Sequence, residues 1–291
     1  MTKIACCQFA PHLGRVRSNV DESIDHFHKA VDEGARIVVF PELTSSGYAF
    51  SNSGEAQAAS EQIDGYAVSS WKQAADERNA VIVAGFCETN EHERPYNSAA
   101  VLVPGQDPVI YRKAHLWDAE RTIFTPGDGA PPVIDTEHGR IAVVICYDLE
   151  FPEWIRIPAL GGAELICAPV NWPRVPRPTN ERPGEVVRTQ AQASMNRVAI
   201  AACDRAGAER GIDWTSASVI VDANGWPIDM ANLDQNLNQI VIADIDLSES
   251  RSKKLSCFSD VLADRRTDLY FAPADYLTQA ALRKDNQQIQ R

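Results

Sequence analysis

Hydrophobic and polar positions alternate between two periods along most of the chain. Residues 3–9 read as a strand, and Val20, Ile24, Phe27 and Val31 then recur at helical spacing until Gly34 stops the pattern. A strand follows at once over residues 36–40. The same unit predicts helices over 68–78, 152–160 and 185–196, each followed by a strand, at 81–86, 165–168 and 198–202. Such alternation means a layered α/β architecture. Further strands, with no helix before them, are expected at 99–103, 109–112, 141–146, 218–221 and 240–245, so the sheets should be mixed. Pro104-Gly105 and Asn224-Gly225 mark turns between some of them. No linker, charge block or repeat divides residues 1–270, which are expected to form one domain, with residues 271–291 as a C-terminal extension. After Tyr276 a Gln-, Asn- and Arg-rich stretch reads as an exposed helix or a loose tail.

Composition narrows the function classes. The chain has 291 residues, 44% hydrophobic and 23% charged, the balance of a packed soluble protein. Its formal net charge of −12 repels phosphate backbones and anionic lipid, so neither a nucleic-acid nor a membrane partner is expected. The first residues turn polar too soon for a secretory apolar region, and no window approaches the roughly 18 apolar residues of a spanning helix. A cytoplasmic protein is the expectation. Seven cysteines, an odd number placed mostly in apolar runs, read as reduced thiols. There is no C-x-x-C and no H-E-x-x-H, and His26 and His28 would face different sides of a helix, so no metal and no cofactor are expected.

The chemistry concentrates where apolar runs end. In Ile37-Val-Val-Phe-Pro-Glu42, Val109-Ile-Tyr-Arg-Lys113 and Ile141-Ala-Val-Val-Ile-Cys146, a strand leads into one reactive side chain. Functional groups of α/β folds collect at such strand ends, where a rigid sheet opens onto loops. Taken singly, Glu42 reads as a surface carboxylate or half of a salt bridge, Lys113 as a solvated end-of-strand lysine and Cys146 as a buried structural thiol. Together they supply what amide cleavage by a thiol requires: a base for the thiol, an acid for departing ammonia, and a donor for the oxyanion.

The stretches Phe40-Pro-Glu42, Arg112-Lys113-Ala-His115-Leu and Cys146-Tyr-Asp-Leu-Glu-Phe-Pro-Glu153 resemble the three signature segments of the nitrilase superfamily of carbon-nitrogen hydrolases. Gln8, Gly47-Tyr48, Phe124-Thr-Pro-Gly-Asp128 and Arg265-Arg266-x-Asp268-Leu-Tyr270 add to the resemblance, which covers roughly residues 3–276. It implies an αββα sandwich of mixed sheets flanked by helices, dimerising into an αββααββα assembly. It also implies roles: Glu42 as general base and acid, Lys113 steadying the tetrahedral intermediate, Cys146 carrying the acyl group, and Glu120 orienting Lys113 and substrate. The N–H of Tyr147 would complete an oxyanion hole beside a nucleophile on a strained turn. Tyr48, Asn171 and Trp172 match positions near the family's pocket, and an aromatic at a strand end is core as often as substrate wall. His115 is implied to support the site, not to act as the base. Pro126-Gly-Asp-Gly129 and Gly161-Gly162 lack the context of a phosphate cradle and read as turns.

After Cys146 stand Asp148, Leu149 and Glu150, where relatives that grip a substrate carboxylate place basic residues. The expected substrate is therefore a small, neutral aliphatic amide split to acid and ammonia. N-carbamoyl amines and nitriles are alternatives, and a non-catalytic binding or assembly module is the rival from another class. An amine-bearing carbamoyl substrate comes next because Glu150 would favour a cation if it reached the pocket; its other reading is an ion pair with Arg156 or another arginine.

Overall fold

The computed structural model describes residues 1–235 and 237–270. The expected extension, 271–291, and the tail after Tyr276 lie outside the described residues. The chain divides into two compact units, Met1–Ser252 and one beginning at Lys253.

In chain order the first half of the larger unit contains β1 (Thr2–Gln8), α1 (Val16–Asp32), β2 (Ile37–Val39), α2 (Ser53–Ala58), α3 (Tyr66–Arg78), β3 (Val81–Glu88), β4 (Tyr96–Leu102), β5 (Val109–Arg112) and α4 (Glu120–Ile123). The second half contains β6 (Val133–Thr136), β7 (Gly139–Val143), α5 (Pro152–Leu160), β8 (Leu165–Pro169), α6 (Gly184–Asn196), β9 (Ala199–Cys203), the short β10 (Ala208–Glu209) and β11 (Ile212–Asp213), β12 (Val219–Val221), β13 (Pro227–Met230) and β14 (Gln239–Ile245). Two six-stranded sheets result, ordered β14-β1-β2-β3-β4-β5 and β13-β12-β9-β8-β7-β6. Both are mixed: β1, β2 and β3 run parallel, as do β7, β8 and β9, while hairpin partners at the flanks are antiparallel.

Period-two geometry sorts the strand residues into layers. Ile4, Cys6, Val81 and Val83 face Ile141, Val143, Leu165 and Cys167 in one core between the sheets. The alternate set, Ala5, Cys7, Ile82 and Phe86, packs on Phe27, Trp71 and Ala75 of α1 and α3. On the other side Ala142, Ile166 and Ile200 pack with Ile155 of α5 and Val186 of α6. This is the αββα order, and it explains why these strands read as continuous apolar runs: both faces are covered. Gln8, buried at the end of β1, joins the sheets, its Oε1 accepting from Ser218 Oγ at 2.8 Å. In the smaller unit, Asp260 Oδ1 accepts the N–H groups of Leu262 and Ala263, and Arg266 pairs with Asp268.

The structure moves some boundaries. The strand expected over 141–146 stops at Val143, because the Asp148 carboxylate takes the N–H of Ile145 at 3.0 Å and turns the chain into a short 3-10 segment, Cys146–Glu150. The strand expected over 36–40 stops at Val39 before Pro41, which has no N–H to give a ladder. Helix α1 starts at Val16, ahead of the apolar stripe.

One glycine shows how closely the sheet approaches the loop after β2. A Cβ on Gly85 of β3 would lie 2.4 Å from Leu43 N and 2.8 Å from Glu42 Cα, both backbone atoms. Gly85→Ala is therefore expected to cost about 1–3 kcal/mol as overpacking against backbone and to displace Glu42. Chemical denaturation and amide turnover measured on the variant check this; wild-type values for both would contradict it.

Candidate active site

The loops at the ends of β2, β5, β7 and β8 converge on one point. Lys113, directly after β5, is anchored by its N–H to Asn97 O and by its carbonyl to Gly127 N–H, each at 2.8 Å. Its ammonium lies 2.6 Å from Glu42 Oε1, and 2.9 and 2.8 Å from the two oxygens of Glu120. All three side chains are buried. Glu42 Oε1 also accepts from Asn97 Nδ2 at 2.7 Å, whereas Oε2 is buried without a partner. Glu120 is held by Tyr48 OH at 2.7 Å and by the N–H of Trp117 at 2.9 Å.

Cys146 stands on the turn after β7 with φ of 44°, a left-handed conformation costly to a residue with a Cβ and common where a side chain is presented for a purpose. Its thiol donates to Asn171 O at 3.7 Å, and Asn171 Nδ2 in turn donates to Glu42 O at 2.9 Å. Asp148 locks this turn to the lysine segment. Its Oδ1 accepts the N–H of His115 and faces His115 Nδ1 at 2.7 Å, while its Oδ2 accepts from Tyr111 OH at 2.7 Å. His115 thus sits on Asp148, stacked 3.9 Å from the Phe151 ring.

A cavity of about 240 Å³ opens onto Cys146, bounded by Tyr48, Trp117, Tyr147, Asn171 and Trp172. Glu150, Glu185 and Arg188 form another part of its lining. A larger groove of about 620 Å³ runs along α3 and holds none of the candidate residues, so size alone does not mark the site. The four expected pocket residues, Tyr48, Tyr147, Asn171 and Trp172, all line the smaller cavity. Among the described residues no group of three or more His, Cys, Asp or Glu could hold a metal.

Electrostatics follow from burying one cation between two carboxylates. Burial raises Glu42, and its near neighbour Glu120 adds to the rise against the pull of Lys113, leaving the carboxyl at about 7. Desolvation works against the charge on Lys113, but Glu120 and Glu42 outweigh it and hold the amine protonated. Burial and the charge of Glu42 raise the Cys146 thiol, and Lys113 and the Asn171 backbone pull it back only partly. At rest the thiol is neutral, with a carboxylate near neutrality in its field. Such an array can take a proton from the thiol as it attacks and can hold a developing oxyanion.

Several residues here carry no local sequence signal. Asn97 lies on β4 and meets Glu42 only through sheet pairing. Arg188 and Glu185 reach the cavity from α6, where helical spacing shows only an amphipathic helix. Asp204 is buried at the end of β9 and accepts the N–H of Trp172 at 2.9 Å, which fixes one wall of the cavity. Glu150 does both things that its position allowed: it lines the cavity, and it lies 2.5 Å from Arg188 Nε.

Known proteins resemble this chain along most of its length. The carbon-nitrogen hydrolase family model matches residues 3–254. A nitrilase of Pyrococcus abyssi is 32% identical over 274 residues, covering 93% of this chain and all of that one. An (R)-stereoselective amidase of Pseudomonas sp is 30% identical over 269 residues, 91% of each chain. Among solved structures, the amidase from Nesterenkonia sp. AN1, in a form showing Michael addition of acrylamide at its active-site cysteine, superposes with a TM-score of 0.75 at 23% identity, over 92% of this chain and 98% of that one.

Burial has a consequence for stability against pH. Glu42 and Asp204 are each raised by burial to about 7, above the ordinary carboxylate values of 4.5 and 3.8 that they regain on unfolding. Between those limits the folded state holds protons that the unfolded chain releases. Their contribution is therefore full below the ordinary range and is lost as pH rises through about 7. Urea unfolding between about pH 5 and 8 should show Glu42→Gln and Asp204→Asn each flattening that fall. An unchanged slope in both variants would exclude the buried-acid account.

Proposed function

Because the chain belongs to the carbon-nitrogen hydrolase family and is an enzyme of non-peptide C–N bonds, we propose that it hydrolyses small aliphatic amides to carboxylic acid and ammonia through a thioester on Cys146. The observation that carries this reading is the free Oε2 of Glu42: a buried carboxylate oxygen without a partner, in a group poised near 7, with a permanent ammonium on its other oxygen.

In this mechanism the Cys146 sulfur attacks the amide carbon while Glu42 takes the thiol proton. The oxyanion is met by Lys113 and by the N–H of Tyr147, which follows Cys146 in the turn. Glu42 returns the proton to the departing amine, ammonia leaves, and the acyl group stays on sulfur. Water then attacks the thioester, giving its proton to Glu42, and acid and free thiol are released. Glu120 touches Lys113 with both oxygens and keeps the ammonium aimed between the two carboxylates. A nitrile would offer this site no oxygen at first, and so fits it less well. The complex of butyramide with a cysteine-to-alanine variant of the Nesterenkonia amidase is consistent with an acyl chain of this size. A carbamoyl amine is the second reading, favoured by Glu150 lining the cavity.

We also propose that the molecule pairs through its outer α5/α6 layer. That layer leaves Ile157, Leu160, Val187 and Met195 from 39% to 49% exposed, an apolar face that a second copy would cover. Sedimentation should give twice the protomer mass, and replacing Leu160 and Met195 by aspartate should halve it; a monomeric wild type excludes the pairing.

The chemical test is a panel of propionamide, butyramide, carbamoyl amines and nitriles, scored by ammonia. Early quenching should add an acyl mass to the peptide containing Cys146, and Cys146→Ala and Cys146→Ser should both be inactive. Lys113→Ala should lose on the order of hundreds-fold in kcat, as removal of an oxyanion donor does. Full turnover by either Cys146 variant would sink the thioester, and nitriles or carbamoyl amines ahead of every amide by about tenfold in kcat/KM, roughly 1.4 kcal/mol, would sink the amide preference.

A further inference from the structure

The cavity that opens on Cys146 is also lined by three charged side chains that the chemistry leaves unused: Glu150 on the turn after Cys146, and Glu185 and Arg188 on α6. Arg188 Nε lies 2.5 Å from Glu150 Oε1, and its Nη2 donates to Glu185 Oε1 at 3.1 Å. One guanidinium is thus shared by two carboxylates, and this part of the lining carries a net negative charge. Glu185 Oε2 is buried and has no partner.

A second residue of the same lining is unfilled in the same sense. Asn171 is 1% exposed, and its Nδ2 is committed to Glu42 O at 2.9 Å, which fixes the orientation of the amide. Its Oδ1 is left without a partner. Both of these orphaned atoms are acceptors, and the one buried side-chain donor of this lining that makes no hydrogen bond, Arg188 Nε, is held in its ion pair with Glu150 at 2.5 Å. A buried acceptor lacking a donor pays its desolvation without return, and a ligand that supplies N–H groups recovers that loss. An anionic ligand would supply none, and it would have to draw Arg188 away from a carboxylate to be held at all.

Resting on the amide-hydrolase reading above, we propose that the preferred substrate is a short amide whose far end carries a protonated primary amine, bound by Glu185 and Glu150. Asn171 Oδ1 accepts from the reacting amide N–H₂ end. Trp117, Trp172 and Tyr48, which also line the cavity, suit the methylene chain between and attract a cation over their ring faces. Arg188, paired with both carboxylates, offsets part of their charge when no substrate is present.

The test compares three amides of similar length by ammonia release: γ-aminobutyramide, its uncharged isostere valeramide, and succinamate. In the wild type γ-aminobutyramide should exceed valeramide by about tenfold or more in kcat/KM, the difference lying in KM. Glu185→Gln should reduce that ratio about tenfold, and Arg188→Gln should raise it, because the cation that offsets the carboxylates is gone. Opposite signs in two variants of one ion-pair group separate electrostatic selection from loss of structure, and a ratio taken within one preparation is independent of the folded fraction. A wild-type ratio near one, a preference for succinamate, or a ratio unchanged in both Glu185→Gln and Glu150→Gln overturns the inference. Valeramide cleaved without preference defeats this inference and leaves the amidase reading standing, whereas failure to cleave any amide defeats both.

Discussion

One ammonium buried between two carboxylates is the constraint on which the rest of the site depends. The Lys113 ammonium lies within 2.9 Å of both Glu42 and Glu120, and all three side chains are shut off from water. Removing Lys113 would leave two buried carboxylates uncompensated, worth about 3–5 kcal/mol in destabilisation. Two carboxylates also outnumber one cation. Burial raises Glu42 towards neutrality and Glu120 adds to the rise, while the two carboxylates together outweigh desolvation and hold the Lys113 amine protonated. The group is costly as a stabilising device, and its fixed charges suit the proposed reaction, in which they would need no reorganisation as an oxyanion forms.

The scaffold holds this arrangement by short-range devices at the strand ends. Asn97 fixes one oxygen of Glu42 and leaves the other open. Tyr48 and the Trp117 N–H fix Glu120. Asp148 accepts from the Cys146 turn, from the segment after Lys113 and from Tyr111 of β5, so the thiol and the ammonium are positioned by a single buried carboxylate. That is why Cys146 can be kept in a left-handed conformation: the surrounding bonds over-determine the turn. Close approach of β3 at Gly85 seats the Glu42 loop from beneath.

The charged part of the cavity lining comes largely from a different layer. The reacting groups come from strand ends, while Glu185 and Arg188 come from α6, packed on the outer face of the second sheet. Changes on the helix can therefore alter this part of the lining without touching the buried Lys113, Glu42 and Glu120.

The fold class was legible in the sequence, and so were the three candidate residues that the structure brings together, because each has a local signature. Alternating periods revealed the α/β layers, since helix and strand repeats differ and both faces of these strands are covered. Glu42, Lys113 and Cys146 stood out as single reactive side chains after apolar runs. The αββα order was implied only by resemblance, because periodicity does not say which two sheets face each other; the packing of Ile4 and Val83 against Val143 and Leu165 decides that. Strand ends were also beyond the sequence. Residues 144–146 are as apolar as the strand before them, and only the capture of the Ile145 N–H by Asp148 turns them out of the sheet. Asn97, Asp204 and the Glu150–Arg188–Glu185 group were invisible for the same reason: their partners are distant in the chain, and a polar side chain shows no period that reveals what it will meet. The sequence by itself determined which chemistry was present, because reactivity belongs to residue types. Tertiary structure alone decided protonation, orientation and what the cavity asks of a ligand, because burial and neighbouring charge exist only once distant segments are brought together.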